Sequence, residues 1–288
     1  MYHPATEFAF FLSAIILGMF FIHPAFLVVS CVLSAGYYLC LKGLKAWQLI
    51  SALLLVFAAI ALLNPLFNTR GSTVLFVWMG GWRYTLEALY YGMATGAMFM
   101  TIMLWFACYN LVMTSDKFIW LFGRLMPAIS LILTMVLRLA PLFQRKLAAI
   151  AGARKCVGLG AGQARRAQFH YAGAALMALM GWVLEGAVET SDAMRSRGYG
   201  LTGRTSFALY RFGRRDATML AVMAAMAAIV VICAAMGAAR TEYIPVCKLP
   251  VMTAYSHIGL GAYAMLLALP TVLHLVENIK WSILRSRI

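Results

Sequence analysis

Six apolar runs, each close to the length that crosses a bilayer, recur along this chain, and a water-soluble fold has no way to bury them all. They are Glu7 to Ile22, Ala25 to Leu41, Trp47 to Leu63, Thr85 to Met113, Ala217 to Ala238 and Val251 to Val276, and together they hold two charged residues, Glu7 and Glu87. Hydrophobic residues make up 64% of the chain and charged ones 11%, where globular domains carry about 25% charged. Mean hydropathy is +0.85. The expected fold class is an all-α polytopic membrane protein with about six transmembrane helices. The first run is slightly short and His23-Pro24 separates it from the second, so this pair reads either as two tight spans or as one kinked, hairpin-like insertion. The segment from Leu66 to Tyr84 mixes Asn68, Arg70, Gly71, Gly80, Gly81 and Arg83 with aromatic residues, the composition of an ordered interfacial loop.

The formal net charge of +15 would suggest nucleic acid in a soluble protein. In a membrane protein, Lys and Arg first report which loops stay in the cytoplasm, and no nucleic-acid partner is expected. With a cytoplasmic amino terminus, the inner segments hold Lys42 and Lys45, the fifteen Lys and Arg between Lys117 and Arg215, and Lys280, Arg285 and Arg287. Only Arg70, Arg83, Arg240 and Lys248 fall outside. The asymmetry places the central tract and both termini in the cytoplasm of a multi-pass cell membrane protein. Merging the first two runs would leave five spans and an external amino terminus. That terminus has no Lys or Arg before Lys42, so it lacks the charged region of a cleaved signal peptide, and the first run is expected to stay in the chain.

Three parts follow: residues 1–113 with the first transmembrane helices, 114–216 as a cytoplasmic-face region, and 217–288 with the last transmembrane helices. The central region is not hydrophilic. Its two apolar cores, Leu125 to Leu137 and Tyr171 to Leu184, are bounded by Arg124, Arg138 and Pro141 in one case, and by Gln168, His170, Glu185, Glu189 and Asp192 in the other. Such lengths suit long amphipathic helices lying on the membrane's cytoplasmic face, in contact with lipid, with two further short spans as the alternative. At about 100° per residue, Phe143, Leu147 and Ile150 share a stripe that reaches Arg154 within about 20°. Leu179, Val183, Gly186, Thr190 and Ala193 form a second stripe, which reaches Arg197 within about 40°. For each arginine a helix-end cation or lipid-headgroup contact competes with a role in binding a partner. Two arginines with the same placement favour the partner.

Other chemistry finds little footing. No GxxxxGK[ST] loop is present, and Gly158-Leu159-Gly160-Ala161-Gly162 follows no strand and precedes no Lys-Ser/Thr, so it reads as a flexible joint between two helices. The five histidines form no HExxH or i,i+4 pair, and the six cysteines show no CxxC, so neither metal binding nor hydrolysis is expected. Glu87 reads as a cap at the start of a span near the outer interface. Neither paired repeats nor ionisable residues near the midplane favour a stand-alone secondary transporter or channel, and a membrane interaction scaffold is the third class considered.

These residues carry a family resemblance. Asn64-Pro65-Leu66-Phe67, Leu137-Arg138-Leu139-Ala140-Pro141 and the two arginine signatures, in this order and over most of residues 3 to 216, resemble the transmembrane T component of energy-coupling factor (ECF) transporters, which includes cobalt and nickel permease subunits. The family pattern of Ala-Arg-Gly at the ends of two coupling helices reads here as Ala153-Arg154-Lys155 and Ser196-Arg197-Gly198. Lys155 stands where glycine is common. The resemblance implies a non-catalytic subunit of an ABC-type importer in a bacterial or archaeal membrane, whose two coupling helices sit in grooves of two ATPase subunits. It implies that ATP is bound by those partners and no cofactor by this chain. It also implies a small membrane S component, which carries the specificity for a micronutrient such as a vitamin or transition-metal ion.

Overall fold

The computed structural model describes residues 3–68, 71, 73–78, 82–123, 126–158, 165–199, 201, 210–237, 241, 243 and 253–285. The chain is an all-α polytopic membrane protein with one short β-hairpin. Helices α1 (Pro4–Phe20), α2 (Pro24–Lys42), α3 (Ala46–Phe67) and α4 (Leu86–Val112) are followed by α5 (Ser115–Gly123), α6 (Pro127–Cys156) and α7 (Arg165–Ser196), then α8 (Arg214–Ala235) and α9 (Ala254–Arg285). The contacts divide the chain into two compact units, residues 115–211 and the remainder. Arg214, Arg215 and Asp216 therefore belong to α8 rather than to the central tract.

Among the described residues six helical stretches are long and apolar enough to cross a membrane, but they are not the expected six. Residues 24–67 run as one stretch of 44 through a 3-10 turn at Gly43–Lys45, α1 falls short with 17 residues, and α6 and α7 qualify alongside α4, α8 and α9. Length alone thus removes the argument that the central helices are too short to span. Both continue as helix past the residues expected to interrupt them: α6 passes through Arg138 and Pro141, and α7 through Glu185, Glu189 and Asp192.

In the larger unit, α4 is the axis against which α1, α2 and α3 pack, while α9 packs against α2 and α8. The first two runs are separate helices, and the reason is local. His3 and His23 each precede a proline in extended backbone and accept the N–H of the residue two further on through Nδ1, from Ala5 and Ala25 at 3.2 Å. A histidine N-cap followed by proline starts a helix twice, so His23-Pro24 separates α1 from α2. Trp105 of α4 is fully buried among Phe10, Phe11 and Tyr37, and its Nε1 donates to Ser30 Oγ of α2 at 3.1 Å. One turn on, Cys108 Sγ lies 3.8 Å from the Ser34 carbonyl oxygen. Polar contacts of this kind hold helices together where lipid gives apolar side chains no reason to prefer protein.

The contact between α3 and α4 rests on small residues. Pro65 lies inside α3 and has no N–H, so the Ala61 carbonyl four residues earlier lacks its helical donor. Gly92 of α4 packs over that carbonyl: a Cβ there would stand 2.8 Å from Ala61 O and 2.8 Å from Asn64 Cβ. Gly96, one turn later, lies against Phe57 in the same way, at 3.1 Å. Asn64-Pro65-Leu66-Phe67 is accordingly the last turn of α3, not a connection after it.

Between α3 and α4, the expected interfacial loop contains a hairpin of β1 (Val74–Trp78) and β2 (Trp82–Thr85), as the β-branched and aromatic residues of this segment favour. Arg70, Gly80 and Gly81 lie outside the described residues. Glu87, in the first turn of α4, is buried and accepts the Thr73 N–H at 3.1 Å, while the Thr73 carbonyl accepts the Leu86 N–H. The carboxylate therefore ties the approaching chain to the start of α4.

At the other junction, Asp216 in the first turn of α8 accepts from the backbone N–H groups of Gly213 and His3, at 3.0 and 2.9 Å. Among the described cysteines Cys31, Cys40, Cys108, Cys156 and Cys233 are free thiols; Cys247 lies outside the described residues.

Candidate functional site

The smaller unit is built on an antiparallel pair, α6 and α7, with α5 packed on α6. Periodicity put Phe143, Leu147, Ile150 and Arg154 on one stripe, and these are half-buried positions of α6, whereas every residue from Val136 to Leu142 is exposed. The stripe faces α7. Phe143 meets Trp182 edge to face, with ring centroids 6.2 Å apart, and Lys146 Nζ sits 5.0 Å from the Trp182 ring centroid. Three turns further on, the Arg154 guanidinium lies over Tyr171, 5.1 Å from its centroid. Tyr171 Oη donates to the Ala151 carbonyl of α6 at 2.8 Å. Each cation–aromatic contact is worth about 0.5 to 2 kcal/mol, rising with desolvation.

Arg154 is thus an interface residue within the unit rather than a bare tip. Its Nε is buried without a hydrogen-bond partner, while the guanidinium face is covered by the ring. Lys155 follows on the exposed side, and α6 continues to Cys156. Val157 caps the helix, and Gly158 turns the chain away with φ +78° and its N–H bonded to the Lys155 carbonyl. Arg154 and Lys155 both belong to the last turn of α6.

The second signature ends its helix at once. Gly198 has φ +75°; its N–H bonds to the Arg195 carbonyl and the Tyr199 N–H to the Met194 carbonyl, the paired closure of a glycine C-cap. Arg197 is the capping residue and is exposed. Along the expected stripe, Leu179 is buried and Val183 and Gly186 are half-buried, while Thr190, Ala193 and Arg197 are exposed. Ala153 and Ser196 are exposed neighbours of the two arginines, and Ser196 Oγ donates to the Ala193 carbonyl. The joint at residues 159–164 lies outside the described residues. Arg165 and Arg166 belong to the first turn of α7 rather than to that joint.

The structure does not bring the two signatures together. Arg154 touches Tyr171 near the start of α7, and Arg197 lies 26 positions beyond Tyr171 on the same unbroken helix, about 39 Å along its axis. The stripe by itself does not identify the partner of Arg154, which is Tyr171. A signal was present: Phe143 and Arg154 on α6, and Tyr171 and Trp182 on α7, are separated by the same interval of eleven residues, three helical turns, on either side of a glycine-rich joint. Among the described residues no group of three or more His, Cys, Asp or Glu is placed to hold a metal ion. No family model matches this sequence, and no curated protein matches it.

Proposed function

We propose that the chain is the transmembrane coupling subunit, or T component, of an ECF-type importer in a bacterial or archaeal cell membrane. In this reading the central unit takes up the motion of two ABC-type ATPases and passes it to an S component that binds a vitamin or transition-metal ion. The observation that carries it is the placement of Arg154 and Arg197 at opposite ends of one helical hairpin, about 39 Å apart along α7. One groove cannot receive both ends; two nucleotide-binding subunits side by side can. The chain lacks a phosphate-cradling loop, so hydrolysis belongs to the partners. Both termini and the central unit lie on the cytoplasmic side, where twenty of the 24 basic residues then fall.

Co-purification tests this reading. The full chain expressed with its neighbouring genes is expected to bring two nucleotide-binding subunits through affinity purification, and to hydrolyse ATP only while they are present. Turnover in a preparation shown to be free of them would contradict it, as would wild-type chain that carries no such subunits.

A further inference from the structure

We propose that Tyr171 is a positioning residue that presents Arg154 to its partner; this rests on the coupling role just assigned to Arg154. A free arginine side chain samples many rotamers, and most of them point its N–H groups away from any one acceptor. Here the guanidinium face is held 5.1 Å from the Tyr171 centroid. The ring is itself fixed, because Tyr171 Oη donates to the Ala151 carbonyl at 2.8 Å, three residues before Arg154 on α6. A guanidinium bound by its face keeps its N–H donors in the plane, free to grip a carboxylate in the bidentate manner. The buried Arg154 Nε has no hydrogen-bond partner, so one in-plane donor stands unused within the chain. That Nε is closed off from a docked subunit, so an acidic side chain there takes the terminal N–H donors of the half-buried guanidinium. Arg197 is placed differently: it is exposed at a helix end, and among the described residues no aromatic ring lies under its guanidinium. The two arginines therefore reach their partners differently, Arg154 pre-organised and Arg197 by ordering on contact.

A double-mutant cycle on the complex of the full chain with its co-purifying ATPases tests the assignment. Tyr171→Leu is expected to weaken ATPase association roughly ten-fold, the size of a partly desolvated cation–aromatic contact. Tyr171→Phe, which keeps the ring and loses the tether, is expected to retain most of the affinity. In an Arg154→Ala background Tyr171→Leu should add no further loss, while in an Arg197→Ala background its cost should appear in full. The persistence of the Arg197→Ala effect in Tyr171→Leu also shows that the hairpin is still folded. If Tyr171→Leu leaves association unchanged, or costs as much without Arg154 as with it, Tyr171 does not act through Arg154 and the proposal falls while the coupling reading stands. If wild-type chain brings no ATPases at all, the coupling reading falls and takes this one with it.

Discussion

Arg154 and Arg197 carry the same charge in different settings, and a pair of measurements on each separates stability from association. Arg154 is half-buried on Tyr171, so Arg154→Ala is expected to destabilise the isolated chain by about 1 kcal/mol, read as a lower melting temperature in detergent. Arg197 is exposed, and Arg197→Ala is expected to change that melting temperature little, within about 0.5 kcal/mol. Both variants should weaken ATPase association by on the order of 2 to 5 kcal/mol, and Lys should replace neither well because it lacks the planar fork. Arg165→Ala and Arg166→Ala serve as charge-matched controls and should be mild. Equal melting temperatures for the two alanine variants would mean that the Tyr171 contact carries no stability. The stripe from Phe143 to Arg154 was legible because helical periodicity alone determines which residues share a face. Its occupant was not, because the pairing of Arg154 with Tyr171 depends on the register between two helices.

The start of α4 and the end of α3 make a prediction of their own at the level of elements. Gly92→Ala would drive a methyl group to 2.8 Å from the Ala61 carbonyl oxygen, and backbone cannot move aside as a side chain can. It is expected to disrupt the α3–α4 contact and lower the melting temperature of the chain markedly, by 1 to 3 kcal/mol or about that on the scale of overpacked cores. Gly36→Ala in α2, where a Cβ meets nothing within 4 Å, should be neutral or gain up to about 1 kcal/mol from helix propensity. A Gly92→Ala variant as stable as Gly36→Ala would show that the two helices are not in close contact there. The existence of α1 to α4, α8 and α9 could be read from apolar runs because bilayer thickness dictates their length. Helix ends could not. Arg138 and Pro141 look like interruptions, yet α6 passes through both: a long side chain leaves an exposed helix face without breaking it, and proline forfeits one hydrogen bond that a 30-residue helix can spare. The hairpin at residues 74–85 was hidden for a related reason, since its glycines and arginines describe a loop while Val74 to Trp78 describe a strand.

For the whole molecule, the distribution of basic residues and the lengths of α6 and α7 pull in different directions, and topology mapping resolves them. Single cysteines near Gly71 and at Cys247 are expected to label from outside, and those near Gly160, Thr202 and Ile288 from the cytoplasm only. If α6 and α7 both crossed, Gly160 would be external while Thr202 stayed internal, so an external label at Gly160 contradicts the cytoplasmic central unit. The most direct test of the coupling account is the subunit stoichiometry of the purified complex, measured by mass spectrometry under native conditions on wild type and on the Arg154→Ala, Arg197→Ala double variant. The account predicts two ATPase subunits per chain in the wild type, and their loss from a double variant that remains membrane-inserted. Two ATPases retained on the double variant, or none on the wild type, would contradict it.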